Sequence, residues 1–278
     1  MVIQKFRLDR VIIDALDEDI GSGDVTTLAV LTGNEVGTAE VLAKDDIIVA
    51  GIDVFKEVFL LYDKDINFLA KVKDGQSAGR GDIIAEISGK LKNILTAERV
   101  ALNFLQRMCG IATLTRKYVD EISGTGARIL DTRKTLPCHR LLDKYAVKTG
   151  GGLNHRLGLY GGVMIKDNHI KAAGGILKAV EMISNHVPPT LKIEVEVKNL
   201  GEVEEALSSG VDIIMLDNMN VEDMGKAVSM INGRAMIEAS GNVTLANVRE
   251  IAETGVDYIS VGTITHSAPA ADISLLIK

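Results

Sequence analysis

Residues 129–170 read ILDTRKTLPCHRLLDKYAVKTGGGLNHRLGLYGGVMIKDNHI and contain two short apolar runs that each end in charged residues. The first run is followed by DTRK at 131–134, and the second, at 163–165, is followed by Lys166. A helix-like segment lies between them and ends in the glycines at 150–152. Cations fixed at strand ends suit an anionic ligand that carries phosphate or carboxylate groups. The stretch therefore predicts two buried strands whose ends bind an anion.

From residue 127 onward the chain alternates between short apolar runs and segments of helical periodicity. The predicted strands are 128–131, 163–165, 191–197, 211–216, 235–239 and 258–261, and predicted helices lie at 176–185, 200–208, 221–231 and 245–253. This alternation is typical of parallel strands with helices outside them. About six units are visible, fewer than the eight of a full barrel. We therefore predict an α/β fold with an incomplete (β/α) barrel of about six or seven parallel strands. An open doubly wound sheet is the second choice, which the lack of a G-x-G-x-x-G motif after the first strand weakens.

The first hundred residues have a different pattern, which predicts a small α+β unit with an antiparallel sheet. Helices are predicted at 7–18 and 52–62, strands at 35–43, 46–50, 66–73 and 83–87, and an extended stretch from residue 25. A further helix begins near Thr96 and is expected to break at Cys109 and Gly110. The predicted domains are an N-terminal α+β sandwich at 1–108 and a catalytic barrel at 109–271, with 272–278 packing against the first domain.

The composition limits the classes of partner. The chain has 278 residues, is 46% hydrophobic and carries a formal net charge of −7, which argues against nucleic acid or an anionic membrane as the main partner. No apolar run reaches the ~18 residues of a membrane span. Cys109 and Cys138 are expected to be reduced thiols of a cytoplasmic protein. A basic cluster in an acidic protein favours a small anionic ligand.

Polar residues follow the C-terminal ends of successive predicted strands, which meet on one face of a barrel. They are Arg133, Lys134, Lys166, Glu196, Asp217, Ser240, Gly241, Asn242, Gly262 and Thr263. Glu196 and Asp217 supply hard oxygen ligands of the kind that Mg²⁺ prefers, and the glycine-containing turns can bind phosphate through backbone N–H groups. Glu194 and Glu196 share one face of a strand, so the sequence leaves open which of them is nearer the site. The pattern indicates a polyphosphate, a metal, a sugar phosphate and a further anionic substrate.

Structural roles stay open for three basic residues. His155 is either a ligand or a hydrogen-bonded structural histidine, and Lys166 is either a ligand or a surface lysine. Arg107 is expected to form a salt bridge instead of binding a ligand. Cys138 and His139 are assigned no role.

The chain resembles the quinolinate phosphoribosyltransferase family, a group of type II phosphoribosyltransferases. The matching segments are LTAERVALNFLQRMCGIAT, DTRKTLP, LLDKYAVKTGGGLNHRLGLY, IKDNHI, IEVEV, IMLDNM, EASGNV and SVGTITHSA, with weaker similarity in GSGDVTT and DGQSAGRGD. The chain departs from the family at Cys138 and His139, where Gly and an apolar residue are commoner. It departs again at Gly161, where an acidic residue is commoner. Neither departure involves a matched charged position.

The resemblance implies transfer of a phosphoribosyl group from phosphoribosyl pyrophosphate to quinolinate, with decarboxylation, in de novo NAD biosynthesis. It implies Mg²⁺ as the cofactor, held by Glu196 and Asp217 mostly through substrate and water. It also implies a cytoplasmic homodimer with shared active sites, with a hexamer of dimers as a further option. Neither nucleic acid nor a membrane is expected as a partner.

The resemblance also implies a role for each matched residue. Lys134, Lys166, Glu196 and Asp217 would be catalytic. Arg99, Arg133, His155 and Arg156 would hold the carboxylates of quinolinate, with Arg99 entering the active site of the other subunit. The remaining substrate-binding positions are Thr132, Ser240, Gly241, Asn242, Ser260, Val261, Gly262 and Thr263, most of them around the 5-phosphate.

Two other functions are compatible with the residues alone. A lysine that ends a barrel strand is typical of lyases that form a Schiff base, which would make Lys166 a nucleophile. A non-catalytic sugar-phosphate-binding protein is the third possibility. Borohydride trapping tests the lyase, and a turnover assay separates the binding protein from an enzyme.

Overall fold

The computed structural model describes residues 3–278, and its contacts divide the chain into two compact units. The first unit comprises the residues up to Arg116 together with Thr135–Gly151 and Ile264–Lys278, and the second comprises Lys117–Lys134 and Gly152–Thr263. No helix within the described range is long and apolar enough to cross a membrane. The domain boundary predicted at residues 108 and 109 stays a prediction.

The helices and strands follow one another along the chain in a mixed first part and an alternating second part. In order they are α1 (Lys5–Ile20), α2 (Val25–Val30), β1 (Val36–Ala43), β2 (Ile47–Ile48), α3 (Ile52–Tyr62), β3 (Asn67–Ala70), β4 (Ser77–Ala78), β5 (Ile83–Lys90), α4 (Leu91–Glu121), β6 (Arg128–Leu130), α5 (Arg140–Thr149), β7 (Val163–Ile165), α6 (Asp167–Ala173), α7 (Ile176–Ser184), β8 (Ile193–Val197), α8 (Leu200–Ser208), β9 (Ile213–Asp217), α9 (Val221–Ile231), β10 (Met236–Ser240), α10 (Val248–Glu253), β11 (Tyr258–Ser260), α11 (Thr263–His266) and β12 (Ile273–Ile277).

The first unit is built on an antiparallel sheet, as predicted. Over the described residues this sheet has four strands in the order β12-β1-β5-β3, and β2 pairs separately with β4. Burial alternates along the second half of β1, where Ala39, Val41 and Ala43 are fully buried. The aromatic rings of Phe55 and Phe59 on α3 are also fully buried and pack edge to face.

Residues 25–27 are helical, so the prediction of an extended stretch there is wrong. The Asp24 carboxylate accepts hydrogen bonds from the Thr27 backbone N–H at 2.9 Å and from the Thr27 hydroxyl at 2.5 Å. Asp24 is thus the N-cap of α2, and such a cap stabilises a helix start by about 1 kcal/mol. Val and Thr favour strands on average, and here the cap outweighs that preference.

Helix α4 is continuous from Leu91 to Glu121, so the break expected at Cys109 and Gly110 is also wrong. Gly110 instead allows α4 to pack closely against the backbone of Pro269, because a Cβ at this position would lie 2.0 Å from the Pro269 carbonyl oxygen.

The salt bridge predicted for Arg107 is confirmed. Its guanidinium donates from Nε and Nη2 to the two carboxylate oxygens of the buried Asp143 at 2.9 and 2.7 Å.

The second unit is an incomplete barrel, as predicted. Within residues 3–278 its sheet has six parallel strands in the order β6-β11-β10-β9-β8-β7. The first strand, β6, pairs with the last, β11, so the sheet curves round, while no ladder of described residues joins β6 to β7. Leu153 lies beside β6 and exchanges backbone hydrogen bonds with Ile129 and Asp131 at 2.8 and 3.1 Å.

The parallel register places the C-terminal ends of the strands at one level. Ser240 of β10 pairs with Asp217 of β9 on one side and with Ser260 of β11 on the other. Glu196 of β8 pairs with Met215 of β9, two residues before Asp217. Because side chains alternate between the faces of a strand, these ends carry the residues that face into the barrel.

Replacing Gly110 by alanine should destabilise the protein, because the new methyl group would collide with backbone that has no rotamer to change. We expect a loss of ~1–3 kcal/mol, the usual cost of overpacking. Gly225 is the matched control, since it also lies in a helix, α9, and an added Cβ there would meet no described heavy atom within 4 Å. Gly225→Ala should stabilise by about 0.5–1 kcal/mol. Thermal melting of both variants measures the difference, and equal melting temperatures would contradict the packing explanation.

Candidate functional site

A cavity of about 500 Å³ lies at the C-terminal ends of the barrel strands. Its predicted cationic lining residues are Arg133, Lys134, His155, Arg156 and Lys166. Its predicted oxygen-bearing lining residues are Thr132, Glu196, Asp217, Ser240 and Ser260. The structure therefore brings together side chains from positions that are up to 128 residues apart, 132 and 260, within one unit of the chain.

Some predicted site residues lie elsewhere. Gly241, Asn242, Val261, Gly262 and Thr263 follow β10 and β11 directly, next to the lining residues Ser240 and Ser260. Arg99 lies on α4 in the first unit, whereas the cavity belongs to the second. Met164, Met215 and Glu238 line the cavity without having been predicted to do so.

The loop that carries His155 and Arg156 is fixed by a buried carboxylate. Asp131 follows β6 and is fully buried. Its Oδ1 accepts the backbone N–H of His155 at 2.9 Å, and its Oδ2 accepts the side-chain amide of Asn154 at 2.6 Å. A buried carboxylate that receives such donors is stabilised in its charged form, and in turn it fixes the donors in place.

Arg156 is held close to a second cation. Its Nη1 donates to the carbonyl oxygen of Gly162 at 3.0 Å, which turns the guanidinium toward the cavity that it lines. Burial, and then the neighbouring charge of Arg133, lower the pKa of Arg156. An anion bound between Arg133 and Arg156 would relieve this repulsion, so the pair is arranged for an anionic ligand.

Lys166 and Glu196 form an ion pair at the cavity. The Nζ of Lys166 lies 2.5 Å from Oε2 of Glu196. Glu196 lines this cavity. Glu194, two residues earlier in β8, is buried and does not line it, so Glu196 is the nearer of the two residues between which the sequence left a choice. The carboxylates of Glu196 and Asp217 also line this cavity and are oxygen donors of the kind that suits a hard cation such as Mg²⁺.

His155 makes contacts with both of its ring nitrogens inside the protein. Its Nδ1 accepts the backbone N–H of Arg156 at 2.7 Å. Its Nε2 lies 3.1 Å from Oε2 of Glu194 and 3.6 Å from Oε2 of Glu238. These contacts support the structural role that the sequence left open for His155, while its ring still lines the cavity. The ligand atoms of the three residues lie within 4.8 Å of one another, a spacing that a metal ion could also bridge.

Glu238 is a buried carboxyl group that lines the cavity and whose protonated form is favoured. Burial, and then the negative charge of Glu194, raise the pKa of Glu238 to about 8, while His155 acts in the opposite direction. A buried carboxyl group beside another carboxylate favours its protonated form, because desolvating two negative charges and holding them close together costs free energy. Glu194 and Glu238 therefore carry less negative charge near an anionic ligand than two fully ionised carboxylates would.

Comparison with known proteins agrees with this arrangement. The family model described as quinolinate phosphoribosyl transferase, C-terminal domain, matches residues 111–276, and the model of the N-terminal domain matches residues 24–109. The chain belongs to the quinolinate phosphoribosyl transferase family. The expected family and fold are thereby confirmed.

Relatives within the quinolinate phosphoribosyl transferase family match this chain over nearly its whole length. A probable nicotinate-nucleotide pyrophosphorylase [carboxylating] of Synechocystis sp. is 46% identical over 265 residues, which cover 94% of this chain and 90% of the relative. The crystal structure of NadC from Streptococcus pyogenes is 40% identical, with a TM-score of 0.96 over 100% of this chain and 99% of that one. The nicotinate-nucleotide pyrophosphorylase from Ehrlichia chaffeensis is 41% identical, with a TM-score of 0.95 over the full length of both chains.

Sequence reasoning missed three residues that shape this site. Asp131 and Glu238 are acidic residues within or directly after apolar runs, and a charge in a predicted buried strand is a signal for a specific partner. Asn218 follows Asp217 and has a positive φ of 54°, which the sequence does not show directly. Asparagine after a strand end is nevertheless one of the few residues that adopt this conformation readily.

Replacing Glu238 by glutamine should make stability less dependent on pH. The folded-state pKa of about 8 lies above the ordinary value of 4.5, so the folded protein holds a proton that the unfolded chain releases. The stability contributed by this group is complete below pH about 4.5 and is lost as the pH rises through 8, by up to ~1.4 kcal/mol per pH unit. The amide of Glu238→Gln cannot ionise, so the variant should lose less stability over this window.

Thermal melting between pH 5 and 9 measures this effect in the wild type and the variant. Glu204→Gln, at an exposed position on α8, is the matched control and should follow the wild type. Melting curves of Glu238→Gln that run parallel to those of the wild type would show that Glu238 carries no such proton.

Proposed function

We propose that this chain transfers the phosphoribosyl group of phosphoribosyl pyrophosphate to quinolinate, releasing pyrophosphate and CO₂ and forming nicotinate mononucleotide for NAD biosynthesis. The observation that carries the proposal is the cavity of the barrel unit, which is lined by both cations and carboxylates. The names of the Synechocystis and Ehrlichia relatives, both nicotinate-nucleotide pyrophosphorylases, support it. Membership in this family does not favour the Schiff-base alternative for Lys166.

Quinolinate fits the cations of this cavity because it carries two adjacent carboxylates. Arg133 and Arg156 offer planar, bidentate donors to these groups, and Arg156 is already partly desolvated. Lys134 and Lys166 supply further positive charge for the phosphates of the second substrate. The resemblance adds His155 and Arg99 to the residues that hold quinolinate.

The carboxylates of this cavity suit the positive charge that develops on the ribose. As the bond from the anomeric carbon to pyrophosphate breaks, positive charge grows on the sugar, and the carboxylates of Glu196 and Asp217 stabilise it. The ring nitrogen of quinolinate attacks this carbon, and the bonding electrons leave with pyrophosphate. The ribosylated nitrogen is then positive. As CO₂ departs, the electron pair of the adjacent C–CO₂ bond stays on the ring carbon, where the positive nitrogen stabilises it, and this pair then takes up a proton.

We infer that Mg²⁺ is the cofactor of this reaction. The donor set fits, because Glu196 and Asp217 offer carboxylate oxygens at the same cavity, and Mg²⁺ is commonly held by one or two carboxylates together with substrate phosphates. When bound it would neutralise charge on the leaving pyrophosphate.

The free cysteines Cys109 and Cys138 support a cytoplasmic location.

We further propose a homodimer in which Arg99 of the partner subunit contributes to each site. The resemblance supports this role, and a two-fold dimer is the commonest way to build a site from two identical chains. A hexamer of dimers is a larger assembly of the same kind.

Nicotinate should be a poor substitute for quinolinate. Removing one carboxylate leaves a partly buried guanidinium unpaired, which costs roughly 2–5 kcal/mol. That penalty corresponds to a loss of at least about thirtyfold in kcat/KM. The assay follows the ultraviolet absorbance of quinolinate or nicotinate with phosphoribosyl pyrophosphate and Mg²⁺. Consumption of quinolinate with release of pyrophosphate supports the proposed function, and comparable turnover of nicotinate would contradict the account of the cations.

Mixing two inactive variants should restore activity if the sites are shared. Arg99→Ala and Lys134→Ala chains, dissociated and reassociated together, form mixed dimers in about half of the pairings. Each mixed dimer has one site with both residues intact, so activity should return to roughly a quarter of the wild type. The matched control mixes Lys134→Ala with Lys166→Ala chains, both altered in the same unit of the chain, and should recover nothing. No recovery in the first mixture would assign Arg99 to its own subunit or to no site.

A further inference from the structure

The turn after β9 is tied to the end of the neighbouring strand. Asn218 follows Asp217 directly and has a left-handed backbone with φ of 54°. Its backbone N–H donates to the carbonyl oxygen of Ser240 at 2.8 Å. The carboxylate at the end of β9 and the turn that begins after β10 are therefore connected through the backbone of Asn218.

The side chain of Asn218 makes a second connection between the same two segments. Its Nδ2 donates to Oδ1 of Asp217 at 3.0 Å. Its Oδ1 accepts from Nδ2 of Asn242 at 2.9 Å. A primary amide carries both a donor and an acceptor, and here the donor binds Asp217 while the acceptor binds Asn242. Aspartate would lose the donor, and an apolar residue would lose both.

Gly241 allows this side chain to lie against the turn. A Cβ at position 241 would be only 2.2 Å from Oδ1 of Asn218. Gly241 and Asn242 both have left-handed backbones, with φ of 95° and 50°. Two consecutive residues in this conformation form a tight turn, and Asn218 occupies the space that an ordinary side chain at 241 would need.

The network continues beyond the turn. The carbonyl oxygen of Asn242 accepts from Nδ2 of Asn247 at 3.1 Å, and Oδ1 of Asn247 accepts the backbone N–H of Thr244 at 2.7 Å. The hydrogen bonds of Asn218 thus belong to a chain that extends to residues 242–247. This chain begins at the carboxylate of Asp217, which lines the cavity.

We propose that Asn218 is a positioning residue that couples the Asp217 carboxylate to the turn at 240–242, so that a ribose and its 5-phosphate are recognised as one unit. The inference rests on the proposed function, in which Asp217 faces the ribose and the turn binds the 5-phosphate. Asn218 itself touches neither group. Its loss should therefore weaken the binding of ligands that carry both groups and leave the binding of quinolinate almost unchanged.

The first variant for the test is Asn218→Gly, which keeps the left-handed backbone and removes only the amide. Asn218→Asp keeps the acceptor but replaces the donor with a second charge beside Asp217. Asn232→Gly is the matched control, because Asn232 is also left-handed, with φ of 45°, but caps the end of α9. Asn242→Gly and the double variant with Asn218→Gly measure whether the two amides act through each other.

Two measurements are made on each variant. Steady-state kinetics give KM separately for phosphoribosyl pyrophosphate and for quinolinate. Calorimetric titration with ribose 5-phosphate, without added metal, gives Kd for the probe that carries both the ribose and the phosphate. Thermal melting reports whether the fold is retained.

For Asn218→Gly we expect KM for phosphoribosyl pyrophosphate and Kd for ribose 5-phosphate to rise about tenfold, the equivalent of one or two hydrogen bonds. KM for quinolinate should change less than about twofold, and Asn218→Asp should be at least as impaired as Asn218→Gly. Asn232→Gly should match the wild type, and the double variant should lose less than the product of the two single losses.

Equal rises in KM for both substrates, or equal losses in Asn218→Gly and Asn232→Gly, would overturn the proposal, because each indicates a general structural role. If the wild type does not consume quinolinate, the proposed function fails, and ribose 5-phosphate binding alone decides the inference. In that case weaker binding confined to the Asn218 and Asn242 variants supports it. A wild type that does not bind ribose 5-phosphate overturns it.

Discussion

The buried carboxylate of Asp131 holds residues 154–156, which lie between β6 and β7, the two edge strands of the barrel sheet. Both of its oxygens accept hydrogen bonds from this segment, one from the backbone of His155 and one from the side chain of Asn154. The backbone N–H and carbonyl groups of Leu153 also form hydrogen bonds with Ile129 and Asp131, which fixes the alignment of this segment along β6. His155 and Arg156 lie on irregular chain, so no ladder positions them. Their place at the cavity depends on a side-chain acceptor that is itself fully buried.

Buried acidic groups lie next to the cations of this segment. The carboxylates of Glu194 and Glu238 both approach Nε2 of His155. Cations line the same cavity as Glu238, and the proposed ligands are anions. Because burial and the charge of Glu194 raise the pKa of Glu238, these two groups repel an anion less strongly than two ionised carboxylates would. This arrangement gives an acidic protein a local cationic site for the proposed dicarboxylate and pyrophosphate.

The sequence was most informative where structure is set locally. The strand at 163–165 and the helices at 200–208 and 221–231 were predicted with the observed bounds, because apolar runs and helical periodicity are properties of neighbouring residues. The convergence of Lys166, Glu196 and Asp217 followed from the geometry of parallel strands. The N-cap at Asp24 and the packing of Gly110 on Pro269 were missed. The first depends on one side-chain hydrogen bond, and the second joins positions that are 159 residues apart, 110 and 269. The contact of Asp131 with His155 and the amide chain through Asn218 likewise depend on tertiary structure, which residue types alone do not specify.

The effect of Asp131→Asn on quinolinate affinity tests the central role of this carboxylate most directly. The amide keeps one acceptor but turns its NH₂ group toward one of the two donors, so one charge-assisted hydrogen bond is lost and the segment shifts. Asp257→Asn is the matched control, since Asp257 also accepts a backbone N–H, that of Ile237 at 2.8 Å, at the start of a barrel strand. We expect Asp131→Asn to weaken quinolinate binding by about tenfold or more while ribose 5-phosphate binding stays near that of the wild type. Quinolinate affinity equal to that of the Asp257→Asn control, in a folded Asp131→Asn protein, would contradict the account.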